Sequence, residues 1–286
     1  MQGLWKRALA LLIATVIVLL LTPRGVFSQT ASPGNISMVR GKLAEAAAPG
    51  DGADPAAKPD AELPSLKEIL ERADKAMGGS AAWKSSSTIM MKGVLQTEDT
   101  SAFVAIEIYK KAPDKSLMKM RLPQDLEMRE VCDGKSAWSE DPRGGYHEYK
   151  GEELESRLRR SQFSEQSTMI LMAATGKVLG VEKVGLQSAY VVEYSAQKNE
   201  MTKLYFDAET GLPIRSVETY TKPEGTSTVR LDMDDYRSVD GMMIPFRMRR
   251  TEKGAVIRIK LTQVKNNLPI DDEMFAKPAS ASAAKQ

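Results

Sequence analysis

The chain has 286 residues, and its 40 basic and 38 acidic side chains are spread evenly to a formal charge of +2, which excludes the clustered basic face that nucleic acid requires. One cysteine, Cys132, excludes an intrachain disulfide, and one histidine, His147, leaves no zinc-ligand spacing. No phosphate-cradling glycine loop or dinucleotide fingerprint is present, so no cofactor is expected.

The chain opens with Trp5-Lys6-Arg7, an apolar run from Ala8 to Leu21, and a small-residue context at Val26-Phe27-Ser28. This is the pattern of an export signal cleaved near Ser28, and it predicts a periplasmic product. The run is shorter than the roughly 18 to 20 residues needed to cross a bilayer, so no transmembrane span is expected in the mature chain. No Cys stands at the expected cleavage site to be lipidated. Residues 29–63 are rich in Ala, Pro, Gly and Asp and lack aromatic residues, the composition of a disordered linker. Residues 64–278 make one domain-sized block, and 279–286 form an Ala, Ser and Lys tail expected to fray.

Ser65-Leu66-Lys67-Glu68 is a capping box after Pro64. Leu66, Ile69, Leu70, Ala73 and Met77 then share one helical face, and Gly78-Gly79 supplies the stop. Period-two runs follow: Ile89 to Leu95, Val104 to Ile108, Met118 to Leu122, Glu127 to Cys132, Lys135 to Ser139 and Tyr146 to Tyr149. Ala112-Pro113-Asp114, Leu122 to Asp125 and Asp133-Gly134 separate several of them as turns.

Next comes a helical region. Glu152 to Arg160 carries Leu154 and Leu158 on one side, and Gln162 to Thr175 is a second helix, apolar nearly all round from Met169 to Ala174, which must be covered. Val178 to Val184 and Ala189 to Tyr194 return to strand. From Met201 to Lys265 the turns at Asp207 to Pro213, Lys222 to Gly225, Asp240-Gly241 and Glu252 to Gly254 divide five consecutive antiparallel strands. Six runs before the helical region and these five give about eleven strands, more than a flat open sheet carries without curling. The basic groups Arg157 to Arg160 and Arg247 to Arg250 read as solvated faces of a helix and a strand.

Chemistry-bearing groups are sparse. Cys132 with His147 would make a nucleophile and base on paper, but nothing in the sequence brings the two together. Cys132 reads as a small buried residue. Asp232, Asp234 and Asp235 could suggest a divalent metal, yet Asp232 and Asp234 alternate with Leu231 and Met233 as the outer face of a half-buried strand would. Fourteen of the 16 methionines lie in the folded block, and they suit either an adaptable apolar cavity or an irregular core.

The ordered features, taken together, resemble the outer-membrane lipoprotein-sorting superfamily of LolA-like, LolB-like and LppX-like carriers. The features are the helix ending at Gly78-Gly79, Ala112-Pro113, Asp133 to Trp138, the mid-chain helical insert, Leu204 to Pro213, Val239 to Phe246, and Asn266 to Phe275. The resemblance covers the block from Leu66 to Pro278 and implies an α+β fold, mainly antiparallel β, in which a curved, incomplete barrel has helices over its concave face. It implies no enzyme activity. The implied function is a soluble exported carrier of lipids or of lipoprotein acyl chains, with a membrane donor complex and an outer-membrane acceptor as partners. The competing implication is an envelope lipid or stress sensor acting through a protein partner. The candidate wall for an apolar ligand, or for the helices alone, is Met91, Val104, Ile106, Met118 and Met120 from the first strand set. Met169 and Met172 come from the helical lid. Leu204, Phe206, Leu231, Met233, Ile257 and Ile259 come from the meander.

Overall fold

The computed structural model describes residues 63–98, 103–142, 145–163, 172–197, 199–223 and 225–278. The expected export signal, the linker up to residue 62, the C-terminal tail and Met169 lie outside the described residues. Those from Pro64 onward belong to one compact unit.

The described strands form a single thirteen-stranded antiparallel sheet in the order β6-β5-β4-β3-β2-β1-β13-β12-β11-β10-β9-β8-β7. The first group is β1 (Thr88–Thr97), β2 (Phe103–Lys111), β3 (Lys115–Arg121), β4 (Glu127–Cys132), β5 (Ala137–Asp141) and β6 (Gly145–Glu148). The second is β7 (Lys177–Val184), β8 (Gln187–Gln197), β9 (Glu200–Asp207), β10 (Pro213–Lys222), β11 (Gly225–Val239), β12 (Met242–Glu252) and β13 (Ala255–Asn266). The count is thirteen rather than about eleven because the two runs after the helical region join the same sheet as β7 and β8. The sheet does not close into a barrel, since β6 and β7 remain as its edges.

Every neighbour pair but one is sequential; the exception is β1 with β13, which joins the two strand groups. A bulge at Lys92/Gly93 lies in that seam. Gly93 is required there, because a Cβ would overlap the Lys260 carbonyl oxygen.

Three helices are described: α1 (Leu66–Ala76), α2 (Gly79–Lys84) and α3 (Gly151–Ser161). The capping box of α1 forms as the sequence predicts: Ser65 Oγ accepts from the Glu68 N–H at 3.3 Å, and the Glu68 carboxylate accepts from the Ser65 N–H at 2.7 Å. Gly78, at φ 102°, ends α1 and also starts α2, a short helix that the reading of Gly78-Gly79 as a plain stop leaves out. Of the helix expected over Gln162 to Thr175, residues 164–171 lie outside the described residues, and only its ends are described. Gln162 already has extended ψ, the Phe163 N–H is tied to the Pro113 carbonyl at 3.0 Å, and the helical turn among the described residues of this stretch is Met172 to Thr175.

The legible turns of the meander seat α1. Arg72 donates to the Ala208 carbonyl at 2.8 Å, in the β9–β10 turn. The Met243 N–H donates to the Met77 carbonyl at 3.1 Å, and a Cβ on Gly78 would overlap the Gly241 carbonyl oxygen in the β11–β12 turn. On the opposite face of the sheet, Leu117, Val131 and Trp138 pack against Ile270 and Phe275 of the C-terminal segment.

Candidate functional site

Strand register decides which side chains share a face, because alternate residues point to opposite sides. Met91 pairs with Ile108, Ile108 with Met118, and Ile106 with Met120; Gly93 pairs with Ile106 and Leu95 with Val104. Across the seam Leu95 pairs with Ile259 and Thr97 with Ile257. Ile259 then pairs with Met248 and Met248 with Met233, while Ile257, Arg250, Leu231, Ser216 and Leu204 form one cross-sheet row. All the described candidate residues on strands therefore lie on one side of the sheet, Phe206 included, two positions from Leu204. Met172 reaches the same side and is buried against Ile69, Val192 and Phe206.

The helices lie on this face. Ile69, Leu70 and Ala73 of α1 pack with Val192, Tyr194 and Phe206, while Ala82 and Trp83 of α2, with Phe163, pack against the large apolar cluster that holds Ile106, Met118, Met120, Ile257 and Ile259. Leu154 and Leu158 of α3 pack on Cys132, Ala137 and Tyr149. Methionine is concentrated here: Met91, Met118, Met120, Met128, Met242 and Met248 all belong to or pack on the large cluster. Met90, Met201 and Met274 lie elsewhere, so the type is not confined to this surface.

The same face carries a charged region that the sequence reading misses. Arg157 and Arg250 are buried rather than solvated, at 4% and 5% exposure. The cause is parity and helix phase: Arg250 and Glu252 continue the even-numbered face of Phe246 and Met248, and Arg157 follows Leu154 at helical spacing. Arg250 donates to Glu252 at 2.7 Å. Arg157 Nε lies 3.5 Å from Glu130 Oε1, its guanidinium stacks 3.2 Å above the Tyr149 ring centre, and Tyr149 donates to Glu130 at 3.1 Å. From α3, Arg159 reaches Glu200 at 3.9 Å and Arg160 reaches Glu218 at 3.7 Å, so the helix contacts β4, β9 and β10. Lys110 donates to the Arg160 and Gln162 carbonyls at 3.0 and 3.1 Å, satisfying the exposed acceptors at the end of α3.

Burial pushes the Glu130 carboxyl up against the opposing pull of Arg157, and it pushes Tyr149 up to about 12, helped by the Glu130 charge. Burial and the neighbouring Glu218 charge raise both Glu200 and Tyr220. Burial lowers Arg250 against its pairing with Glu252.

A small, partly open cavity of about 60 Å³ lies between α3 and strands β2 to β5. It is far below the roughly 300–1,000 Å³ of a small-molecule pocket.

The groups that could have suggested an enzyme differ in their surroundings. Cys132 is buried with its thiol pushed up by desolvation, whereas His147 is exposed and packs edge-on against Tyr149. Asp232 and Asp234 face the other side, where Arg215 and Arg247 bond them at 2.5 and 2.6 Å. No group of three His, Cys, Asp or Glu side chains among the described residues is placed to hold a metal. No helix among them is long and apolar enough to cross a membrane.

The wide open sheet with short helices on one face is shared with solved structures. A LolA superfamily protein from Nitrosomonas europaea matches with a TM-score of 0.50 at 14% identity, over 75% of this chain and 99% of that one. The fold is that of the LolA superfamily. A DUF1329 family protein from Desulfovibrio piger matches with a TM-score of 0.54 at 14% identity, over 77% of this chain and 99% of that one. No protein-family model and no curated protein matches the chain.

Proposed function

We propose that the chain is an exported, non-enzymatic carrier that binds acyl chains of lipids or lipoproteins between the helix-covered face and its helices, for lipoprotein sorting or lipid transport in the periplasm. The observation that carries this reading is the placement of a continuous, methionine-rich apolar cluster under the short helix α2 and Phe163 rather than under a second sheet. A sheet face covered by another sheet locks through many interdigitated rows; one covered by short helices can be uncovered by moving few contacts. Each methylene transferred from water would contribute about 0.8 kcal/mol, so one alkyl chain suffices to displace such a cover. Native mass spectrometry of the purified protein tests this. Copurified acyl-chain species, exchangeable with an added acyl probe, are expected; an empty protein that takes up neither probe nor lipoprotein would contradict it.

One feature favours a second reading, a sensor acting through a protein partner. Edge strand β7 and the turn after it expose Leu179, Val181 and Leu186 at 42, 50 and 98%. Crosslinking in cells separates the two: a carrier traps many acylated proteins, a sensor one regulatory protein.

A further inference from the structure

The inner face changes character beneath α3, and the cavity of about 60 Å³ sits on that boundary. Ile108 and Met118 line it from the apolar cluster, while Lys110, Glu130, Arg157 and Arg160 line it from the charged region. Three cationic side chains thus face one carboxylate, with Tyr149, Cys132 and Glu153 as further titratable neighbours. Lys110 and Arg160 have their own acceptors outside the cavity, at the end of α3 and on Glu218. Arg157 is different. It is 4% exposed, Nη1 donates to the Glu153 carbonyl at 3.1 Å, and Nε has no hydrogen-bond acceptor despite lying 3.5 Å from Glu130. A buried guanidinium donor without an acceptor, beside a void, marks a place for water or a ligand oxygen.

The void has room for a few water molecules, a volume that also suits one small planar anion. A guanidinium fork matches a carboxylate in shape and charge. The apolar wall begins at the same cavity, so a ligand held there by its head has a surface for its chain.

We propose that this cavity is the head-group end of the acyl-chain site and that it takes a fatty acid, the carboxylate on Arg157 and the alkyl chain along Ile108, Met118 and Met120. This rests on the acyl-chain reading above and names its ligand class. Glu130 acts as the internal stand-in for the ligand's carboxylate, neutralising Arg157 until the ligand arrives. Burial raises the Glu130 carboxyl, so it takes up a proton and releases Arg157 to an incoming anion more readily than an exposed carboxylate would.

The test is calorimetric titration of the purified protein with laurate, methyl laurate and dodecyl phosphate, which share a chain length and differ in the head. Laurate is expected to bind roughly tenfold more tightly than its methyl ester, the scale of one hydrogen bond to a charged group. Dodecyl phosphate, with its larger head, is expected to bind more weakly than laurate; tighter binding overturns the carboxylate assignment. Arg157→Met should bring laurate to the level of the ester. Glu130→Gln removes the competing carboxylate and should tighten laurate binding while leaving the ester unchanged, a gain that a misfolded variant could not produce. Equal binding of laurate and ester overturns the head-group site and leaves the acyl-chain reading standing. Binding of neither overturns both, and weaker laurate binding by Glu130→Gln overturns the role of Glu130.

Discussion

Two helices cover the same face of one sheet, and opposite chemistry holds them. α1 is held by apolar contact, with Ile69, Leu70 and Ala73 buried against Val192 and Phe206, and by the turns that brace both its ends. α3 rests on Leu154 and Leu158 but owes its reach across the sheet to Arg157, Arg159 and Arg160 paired with Glu130, Glu200 and Glu218. Apolar burial has no substitute in water. The Arg157 pair is buried, but those of Arg159 and Arg160 are partly exposed and exchange with water and counter-ions. The difference makes α1 the fixed wall of the candidate site and α3 the side that can yield to a ligand.

The largest effect should come from breaking the fixed wall. Ile69→Ala removes a buried side chain at 2% exposure and should cost about 3 kcal/mol, read from urea unfolding. A loss below about 1 kcal/mol would mean that α1 is not held by this contact. A smaller, pH-dependent effect is expected at Asp207, whose turn braces α1. Burial opposes its charge, yet the Thr210 N–H and hydroxyl, the Glu209 N–H and Gln187 hold the carboxyl below its ordinary 3.8. A depressed carboxyl contributes stability that is present above its unfolded value and lost as pH falls through the folded one. Asp207→Asn should therefore cost about 1–2 kcal/mol at pH 7, and the gap to the parent should shrink below pH 3.8. A gap that does not change with pH would refute the charge-dependent bracing. The smallest effect on stability belongs to the yielding side. Arg160→Gln should cost under about 1 kcal/mol, since the pair with Glu218 is about one-third exposed, but it should speed exchange of a bound acyl probe. Unchanged exchange would place the yielding element elsewhere.

Much of this contrast can be read in the sequence, and the part that cannot has a physical cause. The capping box and apolar stripe announce α1, and alternation announces the strands, because both are local signals. The wall residues fall on one face because period two leaves no other arrangement once the register is set. α2 is hidden because a helix of six residues has too short a pattern to register, and Gly78 reads as an end when it is also a beginning. The charged region under α3 is hidden for another reason: composition assigns Arg157 and Arg250 to solvent, while phase and parity assign them inward. The parity of Arg250 with Phe246 and Met248 is visible in the sequence, and it outweighs the charge. What no local pattern supplies is the partner. Glu130, Glu200 and Glu218 meet α3 only because the sheet carries β4, β9 and β10 around it.

The central claim is that an acyl chain occupies the helix-covered face. A photoreactive acyl chain, crosslinked to the purified protein and mapped by peptide mass spectrometry, addresses it directly. Labels on Ile108, Met118 and Met120 are the predicted result. Labels confined to the opposite face at Ile270 and Phe275, or to the exposed edge at Leu179 and Leu186, would contradict it.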